Sequence, residues 1–174
     1  MKMLNIRFIF KMLGFMFMIE TLFMLMALGV SFLYPGDDTF AIGTSCGILF
    51  GTGLLFFLIG LKANEHSAGR REGMLVVTLT WALLSLFGML PYYLSGYIDN
   101  VTDAYFETMS GFTTTGASIL SNIEALPNGL LFWRSLTQWQ GGMGMIVFTV
   151  ALMPILGEGA SQMFDAESTG ITHE

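Results

Sequence analysis

Four long apolar stretches dominate the chain, at about residues 12–34, 40–61, 74–96 and 129–156. Each reaches the roughly 20 residues that a helix needs to cross about 30 Å of hydrocarbon. The breaks between them are polar: a short turn after Tyr34 and Pro35, a loop over 64–72, and the longer stretch 96–128. A polar tail follows, over 157–174. Pro91 falls near the end of the third stretch, where a kink is expected. The first stretch follows Lys2, Arg7 and Lys11 as a signal peptide would, but its apolar part is too long and no small-residue cleavage site follows it. A retained helix is expected.

Composition agrees with the pattern: 53% of the 174 residues are hydrophobic and 11% charged, and the mean hydropathy is +0.66. This is the balance of a membrane protein. Cys46 is the only cysteine, which excludes a disulfide framework and a cysteine-based metal site. The net charge of −6 matters less than where the basic residues lie. Lys2, Arg7 and Lys11 precede the first stretch, and Lys62, Arg70 and Arg71 lie between the second and third. The turn with Asp37 and Asp38, and the stretch 96–128, have none. Both termini are therefore expected on the cytoplasmic side. Arg134 is the exception, and either snorkels to the outer interface or braces the polar segment before it. Tyr34, Tyr92, Tyr93, Tyr97, Trp133 and Trp139 fall near the outer span ends, as interfacial aromatics do.

Glu20 lies inside the first apolar stretch, where it serves an ion or proton relay, faces a polar groove, or sits neutral. His66 and His173 read as solvated loop and tail residues. Asn100, Val101 and Thr102 spell a glycosylation sequon, a match short enough to arise by chance. Few acids, bases or metal ligands converge at one depth, so an enzyme is not expected, nor a bound cofactor or a nucleic-acid partner.

The stretch 96–128 has both ends outside, yet it is too patterned for an ordinary loop. Asn100 can cap a helix over 101–112, with Asp103 as a weak capping-box partner. Twelve residues reach about 18 Å, half-way into the membrane. Tyr105, Phe106, Met109 and Phe112 suit burial, and Glu107 either holds the following residues or faces water. Residues 113–118 (Thr113, Thr114, Thr115, Gly116, Ala117, Ser118) can then return about 20 Å in extended form. Small residues, hydroxyls and a glycine can turn carbonyl oxygens toward a dehydrated cation. Irregular backbone at that depth is tolerated only when it is buried in protein or lines a water-filled path. Gly141, Gly142 and Gly144 follow no strand, so close helix packing is expected of them rather than a nucleotide loop.

The stretches Phe106-Glu107-Thr108-Met109-Ser110-Gly111-Phe112-Thr113-Thr114-Thr115-Gly116-Ala117-Ser118 and Phe132-Trp133-Arg134-Ser135-Leu136-Thr137-Gln138-Trp139-Gln140-Gly141-Gly142-Met143-Gly144 resemble the first pore repeat of TrkH-type potassium-uptake proteins, in the Trk/Ktr/HKT superfamily. The resemblance covers nearly the whole chain. It implies an all-α membrane protein, with four transmembrane helices plus a re-entrant pore helix and an extended filter loop. Residues 1–73 would be a two-helix N-terminal membrane region, 74–156 a helix, pore-loop, helix repeat, and 157–174 a cytoplasmic tail or linker. The family has four such repeats around one pathway, so the chain is expected to supply one of four filter segments. Potassium would be held at Thr114 and Thr115, with Gly116 as filter glycine and Thr113 and Ala117 flanking. Implied partners are potassium itself, the remaining repeats in the same or a companion chain, a second transporter in a homodimer, and cytoplasmic TrkA-type nucleotide-binding subunits. The implied location is a bacterial inner membrane. A different class of reading is a membrane assembly or regulatory subunit that does not transport.

Overall fold

The computed structural model describes residues 4–34, 36–63 and 70–156, the last part (145–156) as backbone alone. All regular structure among these residues is helical. Helix α1 spans Ile6–Leu33 and α2 spans Thr39–Gly60. Asn5 sets the start of α1 by accepting a hydrogen bond from the Phe8 amide at 3.2 Å, so the helix begins a turn and a half before its apolar stretch. Helix α3, Arg70–Gly88, likewise takes in the end of the expected 64–72 loop. It is followed by α4, Leu90–Leu94, and the break at Met89 lies just before Pro91. Proline has no amide to donate and its ring crowds the carbonyl one turn back, which produces the expected interruption. Helix α5, Val101–Phe112, and a short 3-10 turn, Ile123–Ala125, lead into α6, Asn128–Leu156. Among the described residues, three segments are long and apolar enough to cross a membrane: Ile6–Leu33, Thr39–Gly60 and Arg71–Leu94. The 29-residue α6 runs where the fourth was expected. His66, His173 and the 157–174 tail lie outside the described residues.

In lipid, helices gain little from hiding apolar surface from one another, and close van der Waals packing holds them instead. The α1–α2 hairpin, the most extensive helix pair, shows this. A Cβ added at Gly14 would stand 2.7 Å from the Gly53 carbonyl oxygen, and one at Gly53 would stand 2.8 Å from the Phe17 Cβ. Leu33, Phe40 and Leu58 point outward, 77%, 82% and 54% exposed, a surface suited to acyl chains rather than water. Phe17, Met24, Ile42, Leu49, Leu130 and Trp133 form the centre of the interior.

Two expected interfacial aromatics are not interfacial. Trp133 is fully buried and donates its indole N–H to the Gly88 carbonyl at 2.9 Å, and Tyr92 is buried beside it in the same core. The cause is α5, which packs into the space between α3 and α6 and encloses residues that would face the interface in a plain helix pair. Tyr34, Tyr93 and Tyr97 remain exposed, as expected.

Asp38 is also more than a turn residue. It is fully buried, accepts from the Ser31 hydroxyl at 2.6 Å, and accepts from the Leu130 amide at 3.0 Å. Its carboxylate thereby satisfies one of the free amides at the start of α6 and complements the positive end of that helix. Gly129 is tolerated there only because it has no side chain: a Cβ would meet the Asp38 Oδ2 atom.

Candidate functional site

Helix α5 begins as the sequence indicates. Asn100 is extended, and its side chain accepts from the Thr102 amide at 3.0 Å. Asp103 stands in the first turn, where its charge favours the helix start. The helix ends at Phe112, about 18 Å along. Its inner face fits glycines on both neighbours. A Cβ on Gly88 would stand 2.9 Å from the Thr108 methyl, one on Gly111 would stand 2.6 Å from the Thr137 hydroxyl, and one on Gly141 would meet the Phe112 carbonyl oxygen. Gly144 abuts Trp81 at 3.1 Å in the same sense. Gly141 and Gly144 are thus packing residues, as expected, whereas a Cβ on Gly142 would meet nothing nearer than the Thr114 methyl at 3.8 Å. Phe106 departs from expectation and is 45% exposed.

The 113–118 run does not become extended at once. Thr113 continues the helical bonding through its amide to the Met109 carbonyl, and Thr114 adopts a left-handed φ of 57°. The Thr114 amide then donates to the Gly111 carbonyl at 2.9 Å and the Thr115 amide to the Ser110 carbonyl at 3.0 Å. These paired bonds form a Schellman cap, which normally uses glycine at the left-handed position. A β-branched residue there is strained by roughly 1–2 kcal/mol. Gly116 follows at φ 73°, a conformation that glycine adopts freely. The Gly116 amide also donates to the Ser110 carbonyl, at 3.3 Å, so the chain leaves the helix only after Gly116 and the first four residues of the run are not extended as expected.

The result is an unequal set of carbonyl oxygens. That of Thr113 accepts from the Thr114 hydroxyl at 2.7 Å, and that of Ala117 accepts from the Ser110 hydroxyl at 2.6 Å. Among the described residues, no hydrogen bond reaches the carbonyls of Thr114, Thr115 or Gly116. Residues 113–117 are all exposed, so these oxygens line a surface rather than a core.

Beyond Ala117 the chain is clamped. Glu107, 3% exposed, accepts from the Ser118 hydroxyl at 3.0 Å, the Ile119 amide at 3.1 Å and Arg134 Nε at 2.8 Å. Both open readings are therefore decided: Glu107 holds the residues after the run, and Arg134 braces Glu107. A carboxylate and a guanidinium, each costly alone in a membrane, were the signal that they pair. Their 27-residue separation hid it from any local pattern. Glu20 lies elsewhere, buried between α1, α3 and α6 beside a mostly apolar cavity rather than a polar groove.

Comparison with known proteins fits this architecture. A family model, TrkH, described as a cation transport protein, matches residues 38–172. The chain is 38% identical over 168 residues to the Trk system potassium uptake protein TrkH of Halomonas elongata, covering 96% of this chain and 35% of that one. It is 48% identical over 101 residues to the protein of the same name from Escherichia coli K12, covering 58% of this chain and 21% of that one. The crystal structure of the potassium transporter TrkH from Vibrio parahaemolyticus superposes with a TM-score of 0.81 at 34% identity, over 90% of this chain and 34% of that one. The chain spans about a third or less of the length of these relatives. An all-helical membrane architecture, a half-length helix opening into a carbonyl-lined run, and a family match over most of the sequence agree: the chain belongs to the TrkH family of cation transport proteins.

Proposed function

We propose that this chain contributes one of four filter segments of a potassium pathway. The observation that carries the reading is the trio of unengaged carbonyls at Thr114, Thr115 and Gly116, between two neighbours whose carbonyls are occupied by hydroxyls. Oxygens left free of protein donors can replace the hydration shell of a potassium ion. The negative end of α5 lies directly behind them and favours a cation. Thr114 and Thr115 then coordinate through main-chain oxygens, Gly116 lets the backbone turn without a side chain in the path, and Thr113 and Ala117 flank. The Schellman cap holds the near end of the run, and the Ser110 hydroxyl with the Glu107–Arg134 clamp holds the far end, so the oxygens need little rearrangement when an ion arrives.

Three further segments, in the same or a companion chain, complete the ring. The same reading extends to a homodimer of complete transporters, to cytoplasmic TrkA-type nucleotide-binding subunits, and to a bacterial inner membrane with both termini of this chain cytoplasmic. Ion movement needs no covalent chemistry, and the protein acts as a transporter rather than an enzyme.

The test is Gly116→Asp in the assembled transporter. A Cβ at Gly116 meets nothing nearer than Gln138 Nε2 at 3.6 Å, so the change is aimed at the path rather than at packing. Uptake of rubidium or potassium is expected to be abolished while membrane insertion persists. Unchanged uptake overturns the assignment.

A further inference from the structure

Beside Phe112, the residue that ends α5, helices α1, α3 and α6 line a partly open cavity of about 270 Å³. Three polar side chains reach it: Glu20, Thr80 and Gln140. Glu20 Oε1, Thr80 Oγ1 and both amide atoms of Gln140 are buried with no well-formed hydrogen bond among the described residues, although the Gln140 amide lies near the Glu20 carboxylate. Glu20 is 4% exposed, and among the described residues no lysine, arginine or histidine lines the cavity. Buried polar atoms without partners are rare in folded proteins and call for a ligand or water. The rest of the wall is apolar and rich in rings. Phe23 meets Trp139 edge-on at 6.1 Å, and Trp81 meets Phe112 edge-on at 6.4 Å.

We propose that this cavity binds a compact organic cation, a primary ammonium carried on an aryl or short alkyl body. An ammonium brings three N–H donors, and Glu20, Thr80 and Gln140 offer three oxygen acceptors. The Glu20 carboxylate supplies the opposite charge, and ring faces attract cations within about 6 Å. The apolar wall takes the body of the ligand. A cavity of roughly 150 Å³ admits benzene, so one of this size admits a ring with a two-carbon ammonium arm. A bare inorganic ion fits less well, since it asks for about six oxygens or more and most of the lining is hydrocarbon. Among the described residues, no cluster of three histidine, cysteine, aspartate or glutamate side chains offers a metal site. Trp139 lines the cavity and is 54% exposed, so the cavity reaches the surface of this chain. The inference does not depend on the potassium reading, because none of residues 113–118 lines the cavity.

The test is binding of 2-phenylethylammonium to the protein in lipid nanodiscs, in the assembly in which it is purified. Titration calorimetry would be run against 2-phenylethanol, a neutral molecule of nearly the same shape. Saturable binding is expected for the ammonium, weakened about tenfold or more for the alcohol and by a similar factor in Glu20→Gln. Equal affinity for the alcohol, unchanged binding by a folded Glu20→Gln, or no saturable binding of the ammonium each overturns the proposal. Should Glu20→Gln fail to fold, the comparison of the two ligands on the unaltered protein decides alone.

Discussion

Glu107 and Glu20 are both glutamates inside helices, 3% and 4% exposed, yet their surroundings could hardly differ more. Glu107 accepts from a guanidinium, a hydroxyl and a backbone amide. Glu20 has an oxygen with no well-formed hydrogen bond among the described residues. Burial alone therefore does not say what a carboxylate in a membrane does. A fully engaged one fixes geometry, because removing it strands every donor that pointed at it. An unengaged one leaves binding capacity in reserve.

That contrast breaks most readily at the clamp. Glu107→Ala leaves Arg134, only 20% exposed, without its counter-charge, and frees Ser118 and Ile119. A loss of about 3–5 kcal/mol is expected, visible as a large fall in thermal unfolding temperature in detergent or nanodiscs. A fall of only a degree or two shows that the pair is decorative. The next effect tests the packing that holds α5 in place. Gly141→Ala drives a Cβ into the backbone at Phe112, whereas Gly142→Ala meets nothing closer than the Thr114 methyl at 3.8 Å. We expect a cost of about 2–3 kcal/mol for the first and close to none for the second, measured by the same unfolding assay. Equal behaviour of the two glycines contradicts the fit described here. The smallest effect sharpens the comparison most. Glu20→Gln removes a charge without stranding any donor, so stability should stay within about 0.5 kcal/mol of the parent or rise. A loss comparable to that of Glu107→Ala reveals a partner for Glu20.

Much of this was legible in the sequence, for identifiable reasons. The Asn100 cap and the 101–112 helix are local signals, written in neighbouring residues and found at their stated positions; the first three apolar stretches coincide with membrane-length helices whose starts differ by up to six residues. Gly141 and Gly144 read correctly as packing residues because no strand preceded them, while Gly142 between them packs against nothing closely. What stayed hidden depends on distant pieces meeting. Trp133 at the end of a span reads as interfacial until α5 is packed over it, and Asp38 reads as a loop charge until the start of α6, 92 residues later, arrives beside it. The cap at Thr114 was hidden for another reason. Threonine is a poor marker of a left-handed turn, so nothing in the letters suggested that the run would first fold back on its own helix.

Asp38 carries one more consequence, for the order in which the chain is built. Synthesis from the N-terminus delivers Asp38 and its Ser31 partner well before the Leu130 amide that occupies the second carboxylate oxygen. The hairpin of the first two helices thus carries a docking point for the start of α6, tying a later segment to an earlier one. Any later tilt of that helix must pull on the oldest part of the molecule.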